Sequence, residues 1–266
     1  MQQIINKPLA STFGWLHMNG TLLEVPEEKE QQSLVIPSGE KKLLILDNDT
    51  AAEALTAEVE EGALLQLIQI SGPGSQQIRD IRVRCQKDAR FEWYRLVLKS
   101  GEIYDNLSVT LEGNSSSFQA EIGYDLISGS HLDMNCEAIH LGKNTVSDIH
   151  SLGVLNGDAF KLLRGTIDLR RGCQGAKGKE FEDVLLLSDQ AHNQSIPVIL
   201  CAEEDVEGDH GATIGQIPEE VIFYLTSRGI SEDAIYSLMA RSKLEAVIRT
   251  LPDEQLKNSL LERESL

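Results

Sequence analysis

The chain has 266 residues, enough for one large domain or a domain with an appendage, and 42 Asp plus Glu against 24 Lys plus Arg give a formal charge of −18. A surface this acidic repels phosphate backbones and argues against a nucleic-acid partner. With 41% hydrophobic but only 5% aromatic residues, the chain can bury an aliphatic core and is not a disordered polyelectrolyte.

The opening Met1–Pro8 has no basic segment followed by an apolar run. No later run approaches the roughly 20 apolar residues that span a bilayer, so a cytoplasmic protein without membrane contact is expected. Residues 1–60 read as short strands and loops: Ser33–Ile36 and Leu43–Leu46 are apolar, and Pro26, Pro37 and the acidic stretch Glu27–Glu30 separate them. From Leu64 to Ala202, brief apolar or alternating runs are punctuated by Gly, Asn, Asp and Ser. They predict strands over 64–70, 78–84, 90–98, 103–111, 117–123, 131–141, 152–155, 160–169, 181–187 and 196–202. Leu107, Val109 and Leu111 alternate with Ser108 and Thr110, as do Phe118, Ala120 and Ile122 with Gln119 and Glu121, so such strands bury one face. Many short strands with turns about every 8–12 residues suit a sandwich, a barrel or a stacked solenoid, and periodicity does not choose among them.

After Gly215 the period becomes helical. Pro218, Glu219 and Glu220 open a first helix with the stripe Val221, Ile222 and Leu225, and Gly229 stops it. Ser231 caps a second helix bearing Ile235, Leu238, Met239, Leu244, Val247 and Leu251, and Pro252-Asp253-Glu254 opens a third.

Four cysteines, Cys85, Cys136, Cys173 and Cys201, form no CxxC pair and are expected as free thiols. His131, His140 and His150 surround Cys136, and imidazole with thiolate suits zinc or iron. His131-Leu132-Asp133 lacks the HxH of a cupin-type site, so ordinary strand histidines are expected, His150 being the most interesting. Gly172–Glu180 has the glycines and lysines of a phosphate loop, but the GxxxxGK[ST] pattern needs Gly at Cys173 and Ser or Thr at Glu180. An inter-strand turn is expected there, with no nucleotide bound by this chain. The carboxylates Glu203, Glu204, Asp205, Glu207 and Asp209 read as a solvated turn. No GxSxG elbow, HExxH or EF-hand spacing occurs, so no enzymatic activity is expected.

Residues Ala202–Ile217, A-E-E-D-V-E-G-D-H-G-A-T-I-G-Q-I, followed by 219–230, E-E-V-I-F-Y-L-T-S-R-G-I, resemble a signature of the SufB/SufD family of iron–sulfur cluster assembly proteins. That signature runs approximately D-D-V-x-C-S-H-G-A-T-x-G-x-x-D-E-E-x-x-F-Y-L-x-S-R-G-I. Phe160–Ile167 resembles the family's F-x-G-x-I rung and Val184–Ala191 its L-L-L-S-x-x-A rung; the likeness covers about residues 60–250.

The resemblance implies a mainly β protein: a right-handed parallel β-helix core over 61–217, a cap of short strands over 1–60 and a C-terminal α-helical domain over 218–266. It implies that the helical domain docks a SufC-like ABC ATPase through Phe223, Tyr224, Leu225, Arg228, Gly229 and Ile230. It further implies that two such subunits pair, as a homodimer or with a SufB-like paralogue, and share a transient iron–sulfur cluster at their interface with His210 as a metal ligand. Departures from the cluster-building branch are Glu182 where that branch has cysteine and Gly211 in place of the glutamate after the histidine, and Gly208 stands where many members of the family have a cysteine. They point to a SufD-like scaffold subunit. Rival readings are a cluster carrier or regulator that has lost assembly activity, a β-helix carbohydrate-active enzyme with paired carboxylates, and, for His210 itself, a plain turn histidine.

Overall fold

The computed structural model describes residues 2–11, 18–24, 30–46, 52–74, 76–99 and 101–263; Met1 and the Pro26–Lys29 stretch expected as a loop lie outside the described residues. Along the chain come β1 (Gln2–Ile5), β2 (Thr21–Glu24), β3 (Glu30–Ile36), β4 (Lys41–Leu46), β5 (Ala52–Val59), β6 (Leu64–Ser71), β7 (Gln76–Cys85) and β8 (Arg90–Leu98). There follow β9 (Glu102–Leu111), β10 (Ser117–Leu126), β11 (His131–His140), β12 (Val146–Leu155), β13 (Phe160–Leu169), β14 (Ala176–Leu186), β15 (His192–Cys201) and β16 (Val206–Gly215). Three helices close the chain: α1 (Glu219–Thr226), α2 (Glu232–Ile248) and α3 (Glu254–Arg263).

The odd strands β3 to β15 form one seven-stranded sheet and the even strands β4 to β16 another, each strand pairing with the one a full turn away. All these pairings are parallel. The protein is therefore a parallel β-solenoid with a helical tail, which selects the third of the architectures that strand periodicity leaves open.

Register explains why the sequence alternates. In-register partners put like side chains in columns on one face, so Phe91 stacks on Phe118, ring centroids 5.5 Å apart, and Leu67, Trp93, Ala120 and Ile149 fill the next inner row. One corner repeats as well. Gly62, Asp88, Ser115, Asn144 and Gly175 all hold positive φ, between 55° and 75°. Each donates its N–H to a carbonyl one turn onward: Lys87, Asn114, Lys143, Gln174 and Asp205 in order. Left-handed backbone favours Gly, Asn and Asp, which is the physical content of the Gly/Asn/Asp/Ser punctuation.

All ten predicted runs overlap strands, and three differences follow from side-chain direction. β12 starts at Val146 rather than 152, because its inner face is built from the small polar Ser147 and Ser151, both buried. β14 starts at Ala176 because Gly178, Glu180 and Glu182 point inward while Lys177 and Lys179 stay outside. Val206–Gly215, read as a solvated turn followed by a motif, is the last strand, laddered to β14 throughout. Within residues 1–60, β3, β4 and β5 pair into the same two sheets as the later rungs. The β1–β2 hairpin, antiparallel, lies on the outer face of β11 and β13. Asn6 donates to Asp133 O and Oδ1 at 2.8 Å, the Leu9 N–H donates to Glu137 at 3.0 Å, and Arg164 donates to Met18 O at 2.6 Å.

The tail packs on the outer face of the even sheet. Leu244, Val247, Ile248, Leu251 and Leu260 bury Ile68, Tyr94 and Leu96, and Lys243 bridges Asp183 at 2.5 Å. Val221, Ile222 and Leu225 of α1 pack with Ile217, Ile235, Val154 and Leu185. Ser231 accepts from the Ala234 N–H as the N-cap of α2.

Candidate functional site

A solenoid must stop, and its last rung lacks the cover that every inner rung receives. β13 is buried along nine of its ten residues, whereas no residue of β15 or β16, each the last strand of its sheet, is fully buried. On β16 the inner face carries Gly208, His210, Ala212 and Ile214, in register with Gly178, Glu180, Glu182 and Val184 of β14. His210 therefore sits mid-strand on the inner face of the open rung, exposed because the stack ends there.

Beneath it the interior is polar. Gly165 of β13 leaves room for the Glu180 carboxyl, which a side chain at that position would overlap. Glu180 is 7% exposed, and burial, reinforced by neighbouring Glu182 and opposed by Lys161, raises its pKa to about 7. Glu182 accepts from Lys161 Nζ and, at 3.2 Å, from the Tyr124 hydroxyl. Lys161 also donates to Ser195 Oγ at 3.1 Å and lies 5.8 Å from the Tyr124 ring centre. Burial pulls the Lys161 ammonium down against the opposing pull of Glu182. Gly153 makes space for the Tyr124 ring. Deeper in, Arg95 pairs with Asp105 at 2.6 Å, both buried.

Sequence reasoning singled out Glu182 as a departure but missed Lys161, Tyr124 and Glu180. Strand parity held the only signal: Lys161 shares its phase with the inward Leu163 and Ile167, and Glu180 and Glu182 share theirs with Val184.

The other histidines are not brought together with Cys136. Cys136 and His140 point into the core, where His140 is held by Thr145 Oγ1 at 2.8 Å and Ser147 Oγ at 2.9 Å, and burial lowers its pKa to about 4. His131 lies on the outer face of the odd sheet, stacked 4.6 Å from Phe160 and 5.3 Å from Tyr104. His150 lies on the outer face of the even sheet, 3.3 Å from Glu121, whose hydrogen bond raises its pKa. Gly172–Gly175 is a turn running directly into β14. Of the nearby carboxylates, Glu203 caps the Gly172 N–H at 2.8 Å and Glu207 pairs with Lys177 at 2.8 Å.

On the tail, Phe223 is 75% and Tyr224 54% exposed. The Arg228 guanidinium lies 4.8 Å from the Tyr224 ring centre, and Gly229 (φ +87°) and Ile230 are at the surface beside it. Leu225 points the other way, into the packing under α1. Among the described residues no helix is long and apolar enough to cross a membrane.

The family model described as the SufBD core domain of the SUF system for FeS cluster assembly matches residues 18–243. The chain belongs to the SufB/SufD family. An iron–sulfur cluster assembly SufBD family protein of Mycobacterium leprae is 32% identical over 126 residues, 47% of this chain and 14% of that protein. The Bacillus subtilis iron–sulfur cluster assembly proteins SufD and SufB are 25% and 26% identical over 175 and 178 residues. These matches cover 66% and 65% of this chain but 40% and 37% of the relatives. The chain thus spans well under half the length of these SufB/SufD relatives.

Proposed function

We propose that this SufB/SufD-family chain is a non-catalytic, SufD-like scaffold subunit of a cytoplasmic SUF-type assembly complex, which pairs through its open solenoid end and docks a SufC-like ABC ATPase on its helical tail. The observation that carries the reading is the uncovered last rung with His210 on its inner face. Edge strands offer unpaired N–H and C=O groups to a second sheet, and a two-fold pairing of such ends, between copies or with a SufB-like paralogue, brings two inner faces together. A transient iron–sulfur cluster is the cargo expected there. The tail supports the docking role because Phe223, Tyr224, Arg228 and Ile230 form an exposed aromatic, cationic and aliphatic patch, the composition enriched in interface cores. Glu182 at the thiol position, bonded to Lys161, supports a SufD-like rather than a self-sufficient SufB-like subunit.

The same ion pair favours the second reading, a carrier or regulator that has lost assembly activity. Pull-down of the tagged chain from native cells with mass spectrometry separates the two. Capture of an ABC ATPase, lost in the Phe223→Ala/Tyr224→Ala double variant while the fold is kept, supports the scaffold. A wild-type chain that captures no ATPase overturns that role in favour of the carrier.

A further inference from the structure

The N-terminal hairpin carries apolar side chains outward and is held to the solenoid by polar ones. Its cross-strand partners Ile4 and Leu22 are 65% and 63% exposed, and among the described residues none of its side chains belongs to the apolar clusters of the solenoid. Asn6 and Thr21 donate to the Asp133 carboxylate, Asp133 pairs with Arg164, Arg164 donates to Met18 O, and the Leu9 N–H donates to Glu137. Closure over this face has a cost. Asn135 Oδ1, Arg164 Nη2 and Thr166 Oγ1 are buried there without a partner among the described residues, and water satisfies such groups once they are uncovered. Glu137 is 5% exposed, and burial raises its pKa above the ordinary carboxylate value, against hydrogen bonds from Asn135, the Leu9 N–H and Ser108. The charged groups around it are engaged elsewhere: Asp133 with Arg164, Asp168 with Arg170 at 2.7 Å, and Arg82, two rungs away, with Asp80 at 3.1 Å. Lys7, the cation of the hairpin segment, is exposed.

We propose that the hairpin is a releasable strap whose closure over the odd sheet is governed by the charge on Glu137. When neutral, the carboxyl is covered at little cost; when ionised, it draws water and the strap gives way. Because covering the carboxyl raises its pKa, closing the strap takes up a proton, so the closed form is favoured at low pH and is lost as pH rises through the raised value. Release uncovers the polar face of β11 and β13 that bears Asp133, Asn135, Glu137, Arg164 and Thr166. The Asp133–Arg164 pair stays intact in either form, since both partners lie on the sheet. The device goes beyond the scaffold role proposed above: neither the last rung nor the helical tail contributes a residue to it.

Hydrogen–deuterium exchange of the full chain, read by mass spectrometry as protection factors corrected for the intrinsic rate at each pH, tests the strap. Between about pH 5.5 and about pH 8, segments 2–11 and 18–24 are expected to lose protection about threefold or more, while β9, β11 and β13 keep theirs. Glu137→Gln, neutral at both pH values, is expected to hold the strap closed at both. Asn6→Ala is expected to loosen the strap at either pH and to leave the solenoid strands protected. Strap protection that does not change with pH in the wild-type chain overturns the proposal, as does a pH dependence that persists in Glu137→Gln. Loss of β11 and β13 protection in Asn6→Ala also overturns it, because the hairpin is then an inseparable part of the fold.

Discussion

Replacing Glu180 by glutamine should make stability less dependent on pH. In the fold the carboxyl's pKa rises from the ordinary 4.5 to about 7, chiefly through burial. Between these values the native state holds a proton that the unfolded chain has released, so stability falls as pH rises. Below 4.5 both states are protonated and the group carries no penalty; above about 7 both are ionised and the penalty is complete. A shift of that size corresponds to about 3 kcal/mol. Glutamine fills the same space without a charge, so wild type and variant should be nearly equal in stability at about pH 4.5, and the variant should lead by up to about 3 kcal/mol at about pH 8. Urea unfolding followed by circular dichroism at several pH values, compared between the two proteins at equal slope, measures the gap. A gap that stays constant with pH would show that the Glu180 carboxyl is solvated in the folded state and would refute the assignment of a buried, proton-holding group.

Two further outcomes concern the interior and the corner. Lys161→Met strands the buried Glu182 carboxylate and should destabilise by about 3–5 kcal/mol in urea unfolding. Adding Glu182→Leu should restore most of the loss, because the pair rather than the charge is what the interior tolerates; no recovery in the double variant would show that packing, not charge, dominates there. At the repeated left-handed corner, Asn144→Val should cost about 1–2 kcal/mol from backbone strain at φ 55° while Asn144→Gly is neutral or stabilising, and equal stability of the two would refute the strain account.

The fold was legible where side chains alternate cleanly and where corners need special backbone. Leu107, Val109 and Leu111 announce an inner face, and Gly62, Asp88, Asn144 and Gly175 announce the corner, because left-handed φ restricts which residues serve. What periodicity could not supply was the partner of each strand, a long-range property; the motif around His210 supplied it by resemblance. The strands misjudged in length are those whose inner faces break the apolar rule. β12 lines the core with Ser147 and Ser151, and β14 with Gly178, Glu180 and Glu182. In Lys177-Gly-Lys-Glu-Phe-Glu182 every charge reads as solvated. Only the stacking of rungs reveals that alternate ones are walled in, and Lys161 was hidden for the same reason.

That concealment bears on how the site works. In a stack where each rung contacts only its neighbours, an inner-face side chain is either sealed between two rungs or, at the last rung, open on one side. His210 takes the open position and Glu180 the sealed one directly beneath it. The exposed imidazole is open to solvent, while burial and neighbouring Glu182 hold the carboxyl below near its protonation midpoint at neutral pH. Glu182, where the sequence resemblance places the cysteine of the cluster-building branch, is paired with Lys161, so that position is structurally engaged. Substituting a cysteine there alone would leave the buried Lys161 ammonium with only the pull of Glu180. The carboxylate at position 182 is therefore coupled to Lys161, and the imidazole of His210 stays exposed at the mouth.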